Sequence, residues 1–150
     1  MALSDNFLQF VPADANWQPS AEAADRACRV ARELYPDADE INAEFFDCPQ
    51  VFVPLGFWDG PRCPACGADI EAWWYDVAGA ASEHDFTDLS VVTPCCGTTT
   101  TLDACSDDHK PRFGRFVLSL MNPGFDDPPD VEAAIAEALG APVNHVWFHL

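Results

Sequence analysis

The chain has 150 residues, 49% of them hydrophobic, enough for one domain with a sizeable core or a smaller domain carrying an insert. Twenty-five acidic residues against seven basic ones give a net charge of −18, and with no basic patch to offset phosphate repulsion this argues against direct nucleic-acid binding. No apolar run approaches a membrane span, and Met1-Ala2-Leu3-Ser4-Asp5 carries neither a basic n-region nor an apolar h-region, so a cytoplasmic chain without a membrane partner is expected.

Asn6 to Pro12 reads as a short strand, ended by proline. After a loop to Pro19, Ser20 is an N-cap candidate for a helix over Ala21–Tyr35. Ala24, Ala27, Cys28, Ala31, Leu34 and Tyr35 make its apolar stripe, which places Cys28 in the core. Glu22/Arg26 and Asp25/Arg29 are i,i+4 pairs on the opposite face. Pro36 stops the helix. An acidic turn then leads to a second strand region, Ala43–Val53, where Pro49 predicts a bulge or an edge position and Cys48 is expected to be buried.

The next stretch is built on cysteine. Arg62-Cys63-Pro64-Ala65-Cys66-Gly67 reads as a zinc knuckle: two thiolates two residues apart, Pro64 presetting the turn, and Gly67 letting the backbone double back so that its amides face sulfur. Thr93-Pro94-Cys95-Cys96-Gly97 echoes it about 30 residues on. Aligning the two puts Cys96-Gly97 on Cys66-Gly67 and Thr93 where a cysteine is expected. The missing thiolate must come from elsewhere: Cys95 first, despite the strain of adjacent ligands, then Cys105, then His84 or His109. Between the knuckles, Asp69–Val77 with Trp73-Trp74-Tyr75 looks like a strand, and Gly79–Asp85 like a polar turn. Phe86–Thr93 and Thr98–Leu102 look like two more strands, which together make a three-stranded zinc ribbon.

After a polar loop, Phe113–Met121 is a strand turned by Asn122-Pro123-Gly124. Asp127 is an N-cap candidate with Pro128 at the first helical position. Val131, Ala134, Ile135, Ala138 and Leu139 form the stripe of a helix closed by Gly140 at C′. Val143–Leu150 is the last strand.

The two ends of the chain share the pattern strand, proline, loop, proline, helix, strand. Two such β-α-β units predict an α+β fold, a ferredoxin-like split βαβ sheet over residues 1–56 and 106–150, with the zinc ribbon inserted at 57–105. The last strand alternates His145, Trp147 and His149 with Val146, Phe148 and Leu150. The aliphatic set is expected to face the helices. The His-Trp-His face would then be covered by the ribbon, by a second copy or by a partner.

Cys63, Cys66, Cys95 and Cys96 as a closed set mean structural zinc, whose binding free energy becomes part of folding. A redox dithiol at Cys63/Cys66 normally opens a helix, whereas a strand-like run follows here. An open catalytic zinc would need a base, and no H-x-E or HExxH motif supplies one. No Walker loop, dinucleotide fingerprint or nucleophile elbow is present.

Cys63-Pro-Ala-Cys-Gly, Trp73-Trp74, Phe86-Thr-Asp-Leu, Thr93-Pro-Cys-Cys-Gly, Arg115-Phe-Val-Leu and Asn122-Pro together resemble a family of small, uncharacterised bacterial zinc-ribbon proteins over most of the chain. The resemblance implies that both adjacent cysteines recur and that the Cys105 position is typically apolar, which favours Cys95 as fourth ligand. It implies no activity. The expected function is a non-catalytic adaptor that binds a protein partner or itself, as a homodimer through the helix-free sheet face. The alternatives are an acidic inhibitor or immunity-type protein for a basic partner, and a zinc enzyme with an open site.

Overall fold

The computed structural model describes residues 5–56, 60–105, 110–124 and 128–149. Its main sheet contains β1 (Asn6–Pro12), β2 (Glu40–Phe52), β5 (Arg112–Met121) and β6 (Val143–His149), in the order β2-β5-β1-β6 with every neighbouring pair antiparallel. Helix α1 (Ala21–Leu34) connects β1 to β2, and α3 (Val131–Leu139) connects β5 to β6. Between β2 and β5 lie α2 (Glu71–Ser82), a hairpin of β3 (Ser90–Val92) and β4 (Thr99–Thr101), and a 3₁₀ turn at Leu102–Ala104.

Local chemistry sets most of these elements. The Ser20 hydroxyl accepts the Ala23 amide at 3.1 Å and caps α1. Ala24, Ala27 and Ala31 are buried, and their small side chains let α1 lie close to the sheet. Cys28 is half-buried on the same core. Gly140 ends α3 with φ of 96°, and its amide returns to the Ala136 carbonyl at 2.8 Å. The cap of α3 is Asp130 rather than Asp127, which lies outside the described residues.

Both α1 and α3 pack on one face of the sheet. Leu8 and Phe10 of β1, Phe116, Leu118 and Leu120 of β5, and Val143 and Trp147 of β6 meet Ile135 and Leu139 of α3 there. Strand β2 begins earlier than its apolar run, because Glu40 and Ile41 continue the pairing opposite Met121 and Leu120. A bulge interrupts it near Pro49: β2 advances from Phe45 to Gln50 while β5 moves only from Phe116 to Gly114. Cys48, inside the bulge, is half-buried.

Two expectations are corrected. The Trp73-Trp74-Tyr75 run is helix, not strand. Ile70, Trp74 and Ala78 recur four residues apart and are buried, with Trp73, Val77 and Ala81 beside them, so the helical period wins over the strand preference of the aromatics. The insert is therefore a helix and a two-stranded hairpin, not three strands. The second correction concerns β6. His145 and Trp147 lie on the helix side, opposite Phe10 and Leu8, while Val146 and Phe148 lie on the other face. Trp147 has the largest apolar area to bury, and the two helices offer the larger core. The helix-free face is not bare: Val11, Val117 and Val146 on it are buried. The chain after β2 also reaches β6, where the His149 amide donates to the Leu55 carbonyl at 2.8 Å.

At Gly114 a Cβ would come within 2.6 Å of Val11 Cγ1. Gly114→Ala should therefore destabilise the chain by about 1–3 kcal/mol, read as a lower urea midpoint at unchanged slope.

Candidate metal centre

Two knuckles with the same backbone geometry hold the site. In the first, the Cys63 amide donates to Ala68 O at 2.9 Å and the Gly67 amide returns to Cys63 O at 2.8 Å. In the second, the Thr93 amide donates to Thr98 O at 2.9 Å and the Gly97 amide returns to Thr93 O at 2.7 Å. Gly67 and Gly97 have φ of 75° and 72°, with no atom within 4 Å of where a Cβ would stand, so the backbone angle and not space demands glycine. An Arg62–Asp69 bridge closes the first turn, and the β3–β4 hairpin closes the second.

The turns face each other and bring four sulfurs together. Cys63 Sγ lies 3.6 Å from Cys96 Sγ, and Cys66 Sγ lies 3.5 Å from Cys95 Sγ. All four lie within 4.8 Å of one another. A regular tetrahedron with metal–sulfur bonds of about 2.3 Å has edges of about 3.8 Å. The set matches that size, so Cys63, Cys66, Cys95 and Cys96 could hold a metal ion. The adjacent cysteines sit without backbone strain, since Cys95 and Cys96 both keep negative φ. Cys63 is buried and the other three are exposed, so one side of the cluster faces solvent.

The electrostatics are uneven. The backbone amide of Cys66, joined by that of Ala65 and working against burial, holds the Cys63 thiol below its ordinary range. The Thr93 hydroxyl at 3.3 Å and the Thr98 hydroxyl at 3.2 Å stabilise a Cys96 thiolate, with the Thr98 amide, and lower its pKa to about 6. Loss of water around Cys95, followed by the contacts of Cys66 and Cys63, pushes that thiol up to about 12. The sulfur of Cys95 thus keeps a proton in the free cluster that a metal ion must displace.

Of the other candidates, Cys105 is buried in the second core and donates to Thr101 O at 3.3 Å. Burial, then Cys63 and Asp103, push its thiol up to about 11, and it stands outside the sulfur group. His84 is exposed at the end of α2 and also outside it. His109 lies outside the described residues. The sequence reasoning missed Thr93 and Thr98 as partners of the site. Thr93 occupies the position of a missing cysteine, and its 1% exposure shows a hydroxyl held inside the turn, where it also accepts the Thr98 amide at 3.1 Å.

Because a thiolate is the ligand, protons compete with the metal. With Cys95 protonated up to about 12, metal affinity should rise at least about tenfold per pH unit near neutrality. Below about pH 6 Cys96 protonates as well and the slope should steepen, measured by competition with a chromophoric chelator. Thr93→Val removes a hydroxyl from Cys96 and should weaken metal binding by about 10–100-fold in the same assay.

Comparison of the chain with family models, with curated proteins and with solved structures finds no match.

Proposed function

We propose that the chain is a non-catalytic, zinc-binding adaptor module, with structural zinc on Cys63, Cys66, Cys95 and Cys96 and a protein as its partner. The observation that carries this reading is the sulfur tetrad itself, four thiols within 4.8 Å. Four thiolates complete a tetrahedral shell and leave no position for a water or substrate, which is the mark of a structural rather than a catalytic zinc. Thiolates also select zinc over hard cations such as magnesium and calcium.

In this reading the main sheet is a ferredoxin-like split βαβ unit. The strand order β2-β5-β1-β6, with α1 and α3 on one face, supports it. The insert is a zinc ribbon in its two knuckles, with α2 in place of a third strand, and its cysteine pattern resembles that of the small bacterial zinc-ribbon proteins. Tyr75 on α2 and Val92 beside the second knuckle are large exposed side chains and give a partner something to bury. A second reading, an acidic inhibitor of a basic protein, is favoured by the net charge of −18. It requires association that weakens steeply with salt.

X-ray absorption of the zinc-loaded chain should fit four sulfurs at about 2.3 Å. A shell of three sulfurs and one oxygen would overturn the structural reading in favour of an open site. Native mass spectrometry should show one zinc per chain, lost in Cys95→Ser and retained in Cys105→Ser. Retention by Cys95→Ser would remove Cys95 from the shell.

A further inference from the structure

Arg112 opens β5 and lines two neighbouring cavities. The larger, about 230 Å³, also takes Lys110 from the segment before β5, together with Asn144 and His145 of β6. Pro54 and Trp147 form apolar wall. The smaller, about 50 Å³, shares Arg112 and Asn144 and carries Asp103.

The chain has only seven lysines and arginines and four histidines. Two of the former and one of the latter converge on this one cavity. Four other arginines tie down the fold: Arg26 binds Ala138 O, Arg32 binds Ala38 O, Arg62 binds Gly67 O and Arg115 binds Asn16 O. Among the described residues, Arg112 and Lys110 make no such bond. The Arg112 Nε is buried without a hydrogen-bond partner. Acidic residues outnumber basic ones more than threefold, yet among the described residues no lysine or arginine is within ion-pair distance of a carboxylate, and the one contact of that geometry is His145 Nδ1 to Glu132 at 2.6 Å. Glu132 and Asp103 act on Arg112 only from beyond ion-pair distance, against the burial that lowers its pKa.

We propose that this cavity binds a small free oxyanion, a phosphate or a carboxylate group. Arginine presents Nε–H and a terminal N–H as a fork that matches two oxygens of such a group, and here the Nε arm has no protein acceptor. Lys110 adds a point charge, and the Asn144 side chain a neutral donor. Glu132 lines the same cavity and opposes an anion there, and its Oε2 is engaged by His145 Nδ1 at 2.6 Å. The volume of 230 Å³ falls below the roughly 300–1,000 Å³ of sites for drug-sized ligands, which limits the occupant to a few heavy atoms beyond the anionic group. The net charge of −18 repels anions at long range, but the screening length of about 8 Å at physiological ionic strength leaves the local cations in control. The site is separate from the sulfur cluster, and its fate is independent of the adaptor reading.

The test is an amide-detected NMR titration of the full, zinc-loaded chain with inorganic phosphate and, separately, acetate, with ionic strength held constant by chloride. Expected are saturable shifts confined to residues around Lys110, Arg112 and Asn144–Trp147, with a Kd of about 1 mM or tighter for the preferred anion. Whichever anion binds tighter identifies the class. Lys110→Gln should weaken binding about tenfold, and Arg112→Lys, which keeps the charge and loses the fork, should weaken it as well. Linear, unsaturating shifts with both anions would overturn the proposal. So would saturable shifts that Lys110→Gln leaves unchanged, and that variant decides alone if Arg112→Lys does not fold.

Discussion

Four sulfurs held within 4.8 Å of one another constrain the middle of this protein more than any other contact. Thiolates at that spacing repel and thiols at that spacing gain little, so a cation held among them would stabilise the arrangement. Zinc in such a shell would contribute about 10–16 kcal/mol, several times the burial of any one side chain. What depends on it is a small core: Cys63 itself packs with Ile70, Trp74, Leu102, Cys105 and Phe113. The Trp74 indole N–H finds the Leu102 carbonyl at 3.2 Å, which links α2 to the turn after the hairpin. The Arg62 amide reaches the Cys105 carbonyl at 3.1 Å and links the first knuckle to the same turn.

Strand β5 joins this small core to the large one. Phe113 near its start belongs to the cysteine-bearing core, while Phe116, Leu118 and Leu120 belong to the core under the helices. Gly114 stands between the two, pressed against Val11 where no side chain fits. The bulge in β2 occurs at the same level, where one core hands over to the other. Arg112, two residues before Gly114, pairs with Phe52 of β2 and lines a cavity with Asn144 and His145 from the start of β6.

Charge is distributed with the same economy. The acids lie along the whole chain, and the few cations are used at defined places. Four of the six arginines satisfy backbone carbonyls, one at the end of α3 and the others in loops and turns. Among the described residues, Lys110 and Arg112 have no such use, and both line the same cavity.

The sequence alone determined the features that rest on local chemistry. Two glycine-ended turns with their cysteines, the capped alanine-rich α1, and the alternation of β5 and β6 each follow from residues a few positions apart. The β-α-β pattern at both ends was legible for the same reason. Tertiary structure decided what local pattern leaves balanced. Trp73-Trp74-Tyr75 suits a strand or a helix, and only a core that accepts Ile70, Trp74 and Ala78 on one stripe makes it α2. β6 has apolar residues on both faces, and only the helices decide that Trp147 turns toward them. Cys95 and Cys105 are equal as thiols. Which of them joins Cys63, Cys66 and Cys96 depends on where the second turn lands, a distance between segments about 30 residues apart that no local rule contains.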